Sequence, residues 1–383
     1  MVDLPEKYGV QGAIQYHYGH FPRTAIDMDY ARLISPLGRA AAAIARYDAI
    51  LSGLHNKDLL LAPLRSQEAV ISSRIEGTMA TLDEVLNFEA ENADDELEST
   101  EKSRHRLEVV EVYSYILALT HAQNMLNDGI PLCGRVIREA HSRMLIWGRG
   151  ADKQPGHFKR EQNYVVDEIS KEILFVPISP DQLDAGFKTY EQFLNDSYID
   201  PLIQTALSHV EFESLHPFKD GNGRIGRMII TLMLWDKKLI SGPHFFISAH
   251  LENNRDEYID RMRAVSSENA WTEWCVFFLD ALEAQAVKNL EMSQKIVALY
   301  DEMKILFREV LASQWSINAL DYVFAKPIFK NSVFTSQSGI PKPTAARFTK
   351  ALFDNELLRV VRPAAGRRSA IFAFEPLLEI VRV

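Results

Sequence analysis

The chain has 383 residues, 47% hydrophobic and 25% charged, which excludes a disordered or fibrous protein and leaves room for two or three globular domains. A formal net charge of -10 argues against a general nucleic-acid binder. Only Cys133 and Cys275 are present, without His or Cys partners at metal-ligand spacing, so no disulfide framework or zinc site is expected and both read as small core residues.

The start, Met1-Val-Asp-Leu-Pro5, lacks a basic stretch followed by an apolar run, and no segment is apolar over the length of a membrane span. A cytoplasmic protein with no membrane partner is the expectation. Residues up to about Ala90 read as entirely helical: residues 40–51 are rich in helix formers, and residues 66–87 repeat apolar positions at three-to-four spacing. Residues 89–101 carry seven carboxylates and no Lys or Arg, the pattern of a solvated linker. Residues 107–119 and 135–145 are helical again. Tyr164-Val165-Val166 and Ile173-Leu-Phe-Val176, separated by the polar 167–172, predict a short hairpin.

Further on, Ile203, Ala206, Leu207 and Val210 form one apolar helix face. Ile225, Met228, Ile229, Leu232 and Met233 form another, on a helix that begins inside the segment preceding it. Helices continue through Trp271, Trp274, Phe278 and Leu282. From about Ser313 the composition changes: ten Lys/Arg against five Asp/Glu leave a local excess of +5, and -15 for the rest. There a helix over 344–355 follows Gly339-Ile-Pro-Lys-Pro343, and 357–361 with 370–374 read as a hairpin whose tip carries Arg367 and Arg368, which is winged-helix order. The expected fold is mainly α with a small β-hairpin flap and a C-terminal winged helix-turn-helix domain. Its divisions are an N-terminal helical region (1–106), a core (107–290), a connecting helix (291–312) and the winged helix (313–383).

The chemistry concentrates in His216-Pro-Phe-Lys219-Asp220-Gly221-Asn222-Gly223-Arg224-Ile-Gly226-Arg227. Its glycines let consecutive backbone N–H groups turn toward an anion, and the helix that follows adds the partial positive charge of its N-terminus. Gly221 to Gly226 also spells G-x-G-x-x-G, but a dinucleotide fingerprint follows a β-strand, whereas here the preceding residues are helical. Asp220 is a hard oxygen ligand suited to Mg2+ beside phosphate. Arg224 and Arg227 can neutralise charge moving onto a leaving group, and the imidazole of His216 can take a proton from an incoming hydroxyl. Together they describe attack on a phosphorus of a magnesium-bound nucleotide. His209, seven residues before His216, lacks the other ligands of a metal site and reads as packing.

This string resembles the signature of the Fic family, His-x-Phe-x-(Asp/Glu)-Gly-Asn-Gly-Arg-x-x-Arg. The segment from Pro155-Gly-His-Phe-Lys to Asn163-Tyr-Val resembles the family's flap, and Asn253-Asn254-Arg-Asp-Glu-Tyr its segment after the core. The resemblance implies an all-helical Fic core that transfers AMP from ATP to a Tyr, Thr or Ser hydroxyl of a target protein, and to itself, releasing pyrophosphate. By position, His216 is then the general base and Asp220 the Mg2+ ligand. Gly221, Asn222 and Gly223 line the anion nest, with Lys219 and Gly226 beside them, Arg224 binds the inner phosphates and Arg227 the γ-phosphate. Doc-type relatives carry Lys at the second glycine of the triplet and transfer phosphate; Gly223 favours adenylylation. Tyr164, Val165 and Val166 become the flap that docks the target, unless they are simply strand residues covering the core. Asn254 is either an adenine-side contact or a helix cap.

Ser72-Ser-Arg-Ile-Glu76-Gly77 resembles the family's inhibitory motif, with Glu76 ending a helix and docking on Arg227 where the γ-phosphate would bind. In some relatives the same Glu positions water for removing AMP, so deAMPylation is the alternative, as is another nucleotidyl or phosphoryl transfer at this site. The resemblance also makes a homodimer an expected assembly. The winged helix allows a third reading, a DNA-binding regulator with 344–355 in the major groove and Arg367-Arg368 on the backbone.

Overall fold

The structure is a computed structural model that describes residues 13–23, 27–53, 57–93, 107–166, 170–197, 199–366 and 368–382. In chain order, the first elements are β1 (Ile14–Gln15), α1 (Tyr30–Ser52), α2 (Lys57–Leu60), α3 (Ala62–Ile75), α4 (Leu82–Glu91), α5 (Leu107–Asn127) and α6 (Gly134–Met144). There follow β2 (Val165–Val166), β3 (Ile173–Val176), α7 (Pro180–Asn195), α8 (Pro201–Leu215), α9 (Asn222–Asp236), α10 (Ser248–Asn253), α11 (Arg255–Glu268) and α12 (Trp271–Leu311). The last are α13 (Ser316–Ala325), β4 (Ile328–Lys330), α14 (Asn331–Gln337), α15 (Lys342–Asp354), β5 (Arg359–Arg362), β6 (Ile371–Ala373) and α16 (Glu375–Val381). The fold is mainly α, as the composition and periodicity predict. Among the described residues no helix is long and apolar enough to cross a membrane.

Two compact units are present, one within Met1–Ala45 and Leu117–Ala286, the other within Arg46–Ile116 and Val287–Val383. In the first, α8 and α9 pack on each other, with α7 against α8 and α6 against α9. The single apolar face expected of α8 is too narrow: every residue of the helix except Pro201 and Glu213 is buried. Most of its polar side survives burial because its groups find partners, Ser208 Oγ being an exception. Gln204 donates to the Asp196 carbonyl at 3.1 Å, Glu211 accepts from Tyr16 Oη at 2.7 Å and pairs with His17 at 2.8 Å, and His209 meets Tyr258 Oη at 2.7 Å. His209 is thus a core residue, with Trp274 beside it donating its indole N–H to the Ala206 carbonyl at 2.7 Å.

The hairpin is present as β2 and β3, antiparallel, with Val165 opposite Phe175; Tyr164 precedes the strand and 167–169 lie outside the described residues. The N-terminal region is not entirely helical, because β1 joins β3 in parallel, Ile14 opposite Phe175. A two-residue strand carries no periodicity of its own, and its partner lies far along the chain. The sheet order β1-β3-β2 leaves β2 at an edge.

In the second unit, the helical stretch expected over 66–87 is two helices. Gly77, at φ 84°, donates its N–H to the Arg74 carbonyl at 2.9 Å and closes α3 with Glu76 at the cap. Thr81 then opens α4 through a capping box, its Oγ1 accepting from Glu84 N–H at 3.3 Å while Glu84 accepts from Thr81 N–H at 2.8 Å. The acidic 89–101 is not a solvated linker throughout. Glu89 and Glu91 belong to α4, Glu91 pairs with Arg362, and 94–101 lie outside the described residues. Around α13 and α16, a second three-stranded sheet has the order β4-β6-β5, and Phe324 and Phe374 pack at 5.5 Å between centroids. Cys275 is buried as expected, whereas Cys133 is only half-buried at the cap of α6.

Candidate active site

His216 follows the last residue of α8 and closes the helix in the left-handed region, φ 45° and ψ 58°, with its N–H donating to the Phe212 carbonyl at 3.0 Å. Glycine is the usual residue there, since a Cβ costs about 1–2 kcal/mol in that conformation. The ring Nδ1 lies 3.3 Å from the Glu213 carbonyl oxygen. A carbonyl only accepts, so the neutral ring carries its proton on Nδ1 and keeps the Nε2 lone pair, the tautomer of a base.

Five residues later the chain turns into α9. Gly221, at φ 76°, is its N-cap and leaves Asn222, Gly223 and Arg224 in the first helical turn, where backbone N–H groups have no partner within the helix. Asn222 does not line this turn with its side chain. Its Oδ1 accepts from Phe218 N–H and its Nδ2 donates to the Phe218 carbonyl, both at 2.8 Å, so the amide clamps the loop. Phe218 is fully buried and stacks on His141 at 3.7 Å between centroids. His141 in turn accepts from Gly156 N–H at 2.8 Å and donates Nε2–H to the Asp220 carbonyl at 2.9 Å. Burial pushes its pKa down to about 4, which keeps it neutral in that arrangement.

Both arginines are buried, Arg224 at 6% and Arg227 at 1% exposure, which removes them from the class of surface salt bridges. Arg224 Nη2 faces Asp220 Oδ1 at 3.7 Å, while its Nε and Nη1 are buried without a hydrogen-bond partner. A buried, unpartnered guanidinium N–H is costly, about 1–3 kcal/mol, and an anion bound at the adjoining helix N-terminus would offset that cost. Arg227 lies close enough to His209 that its charge adds to burial in holding the His209 pKa down, to about 3. Gly226 lies at a close approach of α8 and α9, because a Cβ there would stand 2.1 Å from Glu213 Oε1.

Asp220 keeps its side chain 40% exposed, with Oδ1 accepting from Gly221 N–H at 2.6 Å. Among the described residues no three His, Cys, Asp or Glu side chains gather as a metal cage. One hard carboxylate beside an anion-binding helix end fits a magnesium ion that arrives with its phosphates. Lys219 reaches Glu161 at 3.4 Å. Asn254, between α10 and α11, donates Nδ2 to the His250 carbonyl at 2.9 Å, and that contact belongs to a helix end. Ser72, Glu76 and Gly77 belong to the other unit, at the end of α3, with Ser72 buried.

Three residues of this site are given no role by the sequence alone: His141, Lys159 and Asn163. Lys159 Nζ donates to Asn163 Oδ1 at 2.7 Å and to the Leu215 carbonyl at 3.1 Å, and Asn163 Nδ2 donates to the carbonyls of His216 and Phe218, each at 3.0 Å. The hint for Lys159 and Asn163 was their place in the 155–165 segment that resembles the family's flap; His141 had none.

A half-buried imidazole at a helix end, a glycine-capped helix N-terminus and two buried guanidiniums three residues apart lie within twelve residues on a helical scaffold, an arrangement suited to binding an anion. The Fic/DOC family profile matches residues 131–234 and the Fic/DOC family N-terminal profile residues 34–124, together about half of the chain. The chain belongs to the Fic/DOC family. It is 29% identical over 127 residues to a protein adenylyltransferase Fic of Drosophila willistoni, covering 32% of this chain and 24% of that protein. It is 33% identical over 101 residues to the protein adenylyltransferase fic-1 of Caenorhabditis elegans, covering 26% and 18%. The chain thus spans about a quarter or less of the curated relatives it matches. A Fic family protein from Desulfovibrio desulfuricans shares the fold with TM-score 0.56 at 18% identity, over 92% of this chain and 97% of that one. A Fic domain containing signaling protein from Bacteroides thetaiotaomicron does so with TM-score 0.54 at 18% identity, over 67% and 96%.

Proposed function

We propose that this chain transfers AMP from ATP to a Tyr, Thr or Ser hydroxyl of a target protein. The observation that supports it best is Arg224, whose buried, unpartnered Nε and Nη1 adjoin the free amides opening α9 and lie a few residues from a histidine set up as a base. In this reading Nε2 of His216 takes the hydroxyl proton as the oxygen attacks the α-phosphorus. The bond from that phosphorus to the α,β-bridging oxygen breaks, and pyrophosphate leaves with the electron pair. The α9 amides of Gly223 and Arg224 and the Arg224 guanidinium hold the inner phosphates, Arg227 the γ-phosphate, and Asp220 a Mg2+ that would neutralise charge between the α- and β-phosphates. The edge position of β2 suits main-chain pairing with an extended target segment.

Glu76, at the capped end of α3, is the inhibitory residue in this reading, its carboxylate competing with ATP. The test uses α-labelled ATP, Mg2+ and the wild type, Glu76→Gly and His216→Ala chains, with and without added lysate. Strong labelling of protein by Glu76→Gly, including the chain itself, weak labelling by the wild type and none by His216→Ala are expected. Label arriving only from γ-labelled ATP would replace the reading with phosphotransfer, and release of AMP from a labelled partner by the wild type would replace it with deAMPylation.

A second reading has one observation in its favour: Lys342, Arg347 and Lys350 are all exposed along α15, in a module whose helices and three-stranded sheet suit a winged helix. Arg368 is exposed between β5 and β6, and Arg367 lies outside the described residues. Duplex DNA held on that face would be lost as salt rises; no shift of duplex DNA by the full chain at low salt eliminates the reading.

A further inference from the structure

We propose that Asn163, braced by Lys159, is a positioning residue of this site: it holds the left-handed turn at His216 so that the imidazole points at the acceptor hydroxyl. The inference rests on the AMP-transfer reading above. Four consecutive carbonyls of the turn receive donors from these two residues. Lys159 Nζ donates to Leu215 O at 3.1 Å and Lys159 N–H to Pro217 O at 2.8 Å, while Asn163 Nδ2 donates to His216 O and Phe218 O at 3.0 Å each. A non-glycine residue in the left-handed region persists only where its surroundings over-determine it, and here the surroundings are these donors. The Asn163 amide cannot flip, because its Oδ1 accepts from Lys159 Nζ at 2.7 Å and so fixes which end faces the turn.

Lys159 itself is 3% exposed. A neutral amine has two N–H donors, both used here, and burial lowers the pKa of this one to about 7. Its acceptors are a carbonyl and an amide oxygen, the partners of a residue that orients its neighbours.

The test is made in the full chain carrying Glu76→Gly, with Asn163→Ala and Asn163→Asp added separately. The aspartate keeps the acceptor for Lys159 but sets carboxylate oxygens against two carbonyls in place of donors. For both, kcat for AMP transfer should fall by about 10- to 100-fold, the scale of a misplaced reacting group. KM for ATP should stay within about twofold, because the α9 amides and Arg224 are untouched. A residue needed only for folding would tolerate aspartate, which pairs with Lys159, so wild-type kcat in Asn163→Asp overturns the inference. Hydrogen exchange at 216–222 provides a readout without catalysis, and should quicken by about tenfold or more in Asn163→Ala while α12 keeps its protection. Unchanged exchange in that loop overturns the inference whether or not the chain is active. If the Glu76→Gly parent transfers no AMP, the functional reading fails and the exchange result alone decides the role of Asn163. Should Asn163→Ala not fold, Asn163→Ser, which retains one donor, takes its place with a smaller effect in the same directions.

Discussion

Replacing Gly226 by alanine sets two physical effects against each other at one buried position. In a helix interior alanine is favoured over glycine by about 1 kcal/mol, so propensity alone predicts stabilisation. The added Cβ, however, would lie 2.1 Å from Glu213 Oε1, 3.1 Å from its Cδ and 3.3 Å from Phe212 Cδ1, at the packing of α8 on α9. Glu213 has to swing its buried Oε1 aside and the two helices have to separate by a few tenths of an ångström, and overpacking of that kind costs about 1–3 kcal/mol. The net expectation is a loss of up to about 2 kcal/mol. Gly38 in α1 is the control: its Cβ would meet nothing within 4 Å, so Gly38→Ala should stabilise by about 1 kcal/mol. Urea unfolding followed by tryptophan fluorescence reports on the right unit, since Trp147, Trp235, Trp271 and Trp274 belong to it and only Trp315 to the other. If Gly226→Ala raises the midpoint as Gly38→Ala does, the close approach of α8 and α9 at Glu213 is wrong.

Acid should weaken the first unit through His141, whose folded pKa of about 4 lies below its ordinary 6.5. Between those values the unfolded chain takes the proton first, so stability falls with falling pH by up to about 1.4 kcal/mol per unit; His141→Gln should flatten unfolding midpoints measured between pH 4.5 and 6.5, and an unchanged slope would refute the assignment. Lys159 acts at the other end of the scale. Its folded pKa of about 7 lies below its ordinary 10.5, so its unfavourable contribution shrinks as pH rises through that window, and Lys159→Met should remove this rise in stability between pH 7.5 and 9.5. In the second unit, Arg382 grips Asp83 with two bonds of 2.9 and 2.8 Å and Glu375 with one of 2.7 Å, at 35% side-chain exposure. Solvent screens such a cluster, so Arg382→Ala should cost about 1 kcal/mol or less by denaturant titration, and the difference should shrink in high salt.

Much of this was legible in the chain. The repeat from Ile225 to Met233 located α9 and placed its start inside the twelve-residue stretch; the structure fixes that start after Gly221, at positive φ. The alanine-rich 40–51 located most of α1, although that helix begins ten residues earlier, at Tyr30. One signal present in the sequence went unused: Thr81-Leu-Asp-Glu84 is a capping box, and with Gly77 it places the break between α3 and α4. By itself, then, the sequence determined which groups are candidates for handling phosphate and in what order they come along the chain, because they lie within one twelve-residue stretch whose spacing is set by a single turn and the helix it opens.

Only the tertiary structure decided how those groups are held. The left-handed His216, the neutral His141 beneath Phe218, and the donors of Lys159 and Asn163 all act on backbone carbonyls, through side chains some 50 to 80 residues away. The polar face of α8 was likewise readable as solvent-facing until Tyr16 and His17 closed over Glu211. Hydrogen bonds to a carbonyl leave no pattern in the sequence of either partner, since every residue supplies a carbonyl, and only folding selects which ones a distant amine or amide reaches.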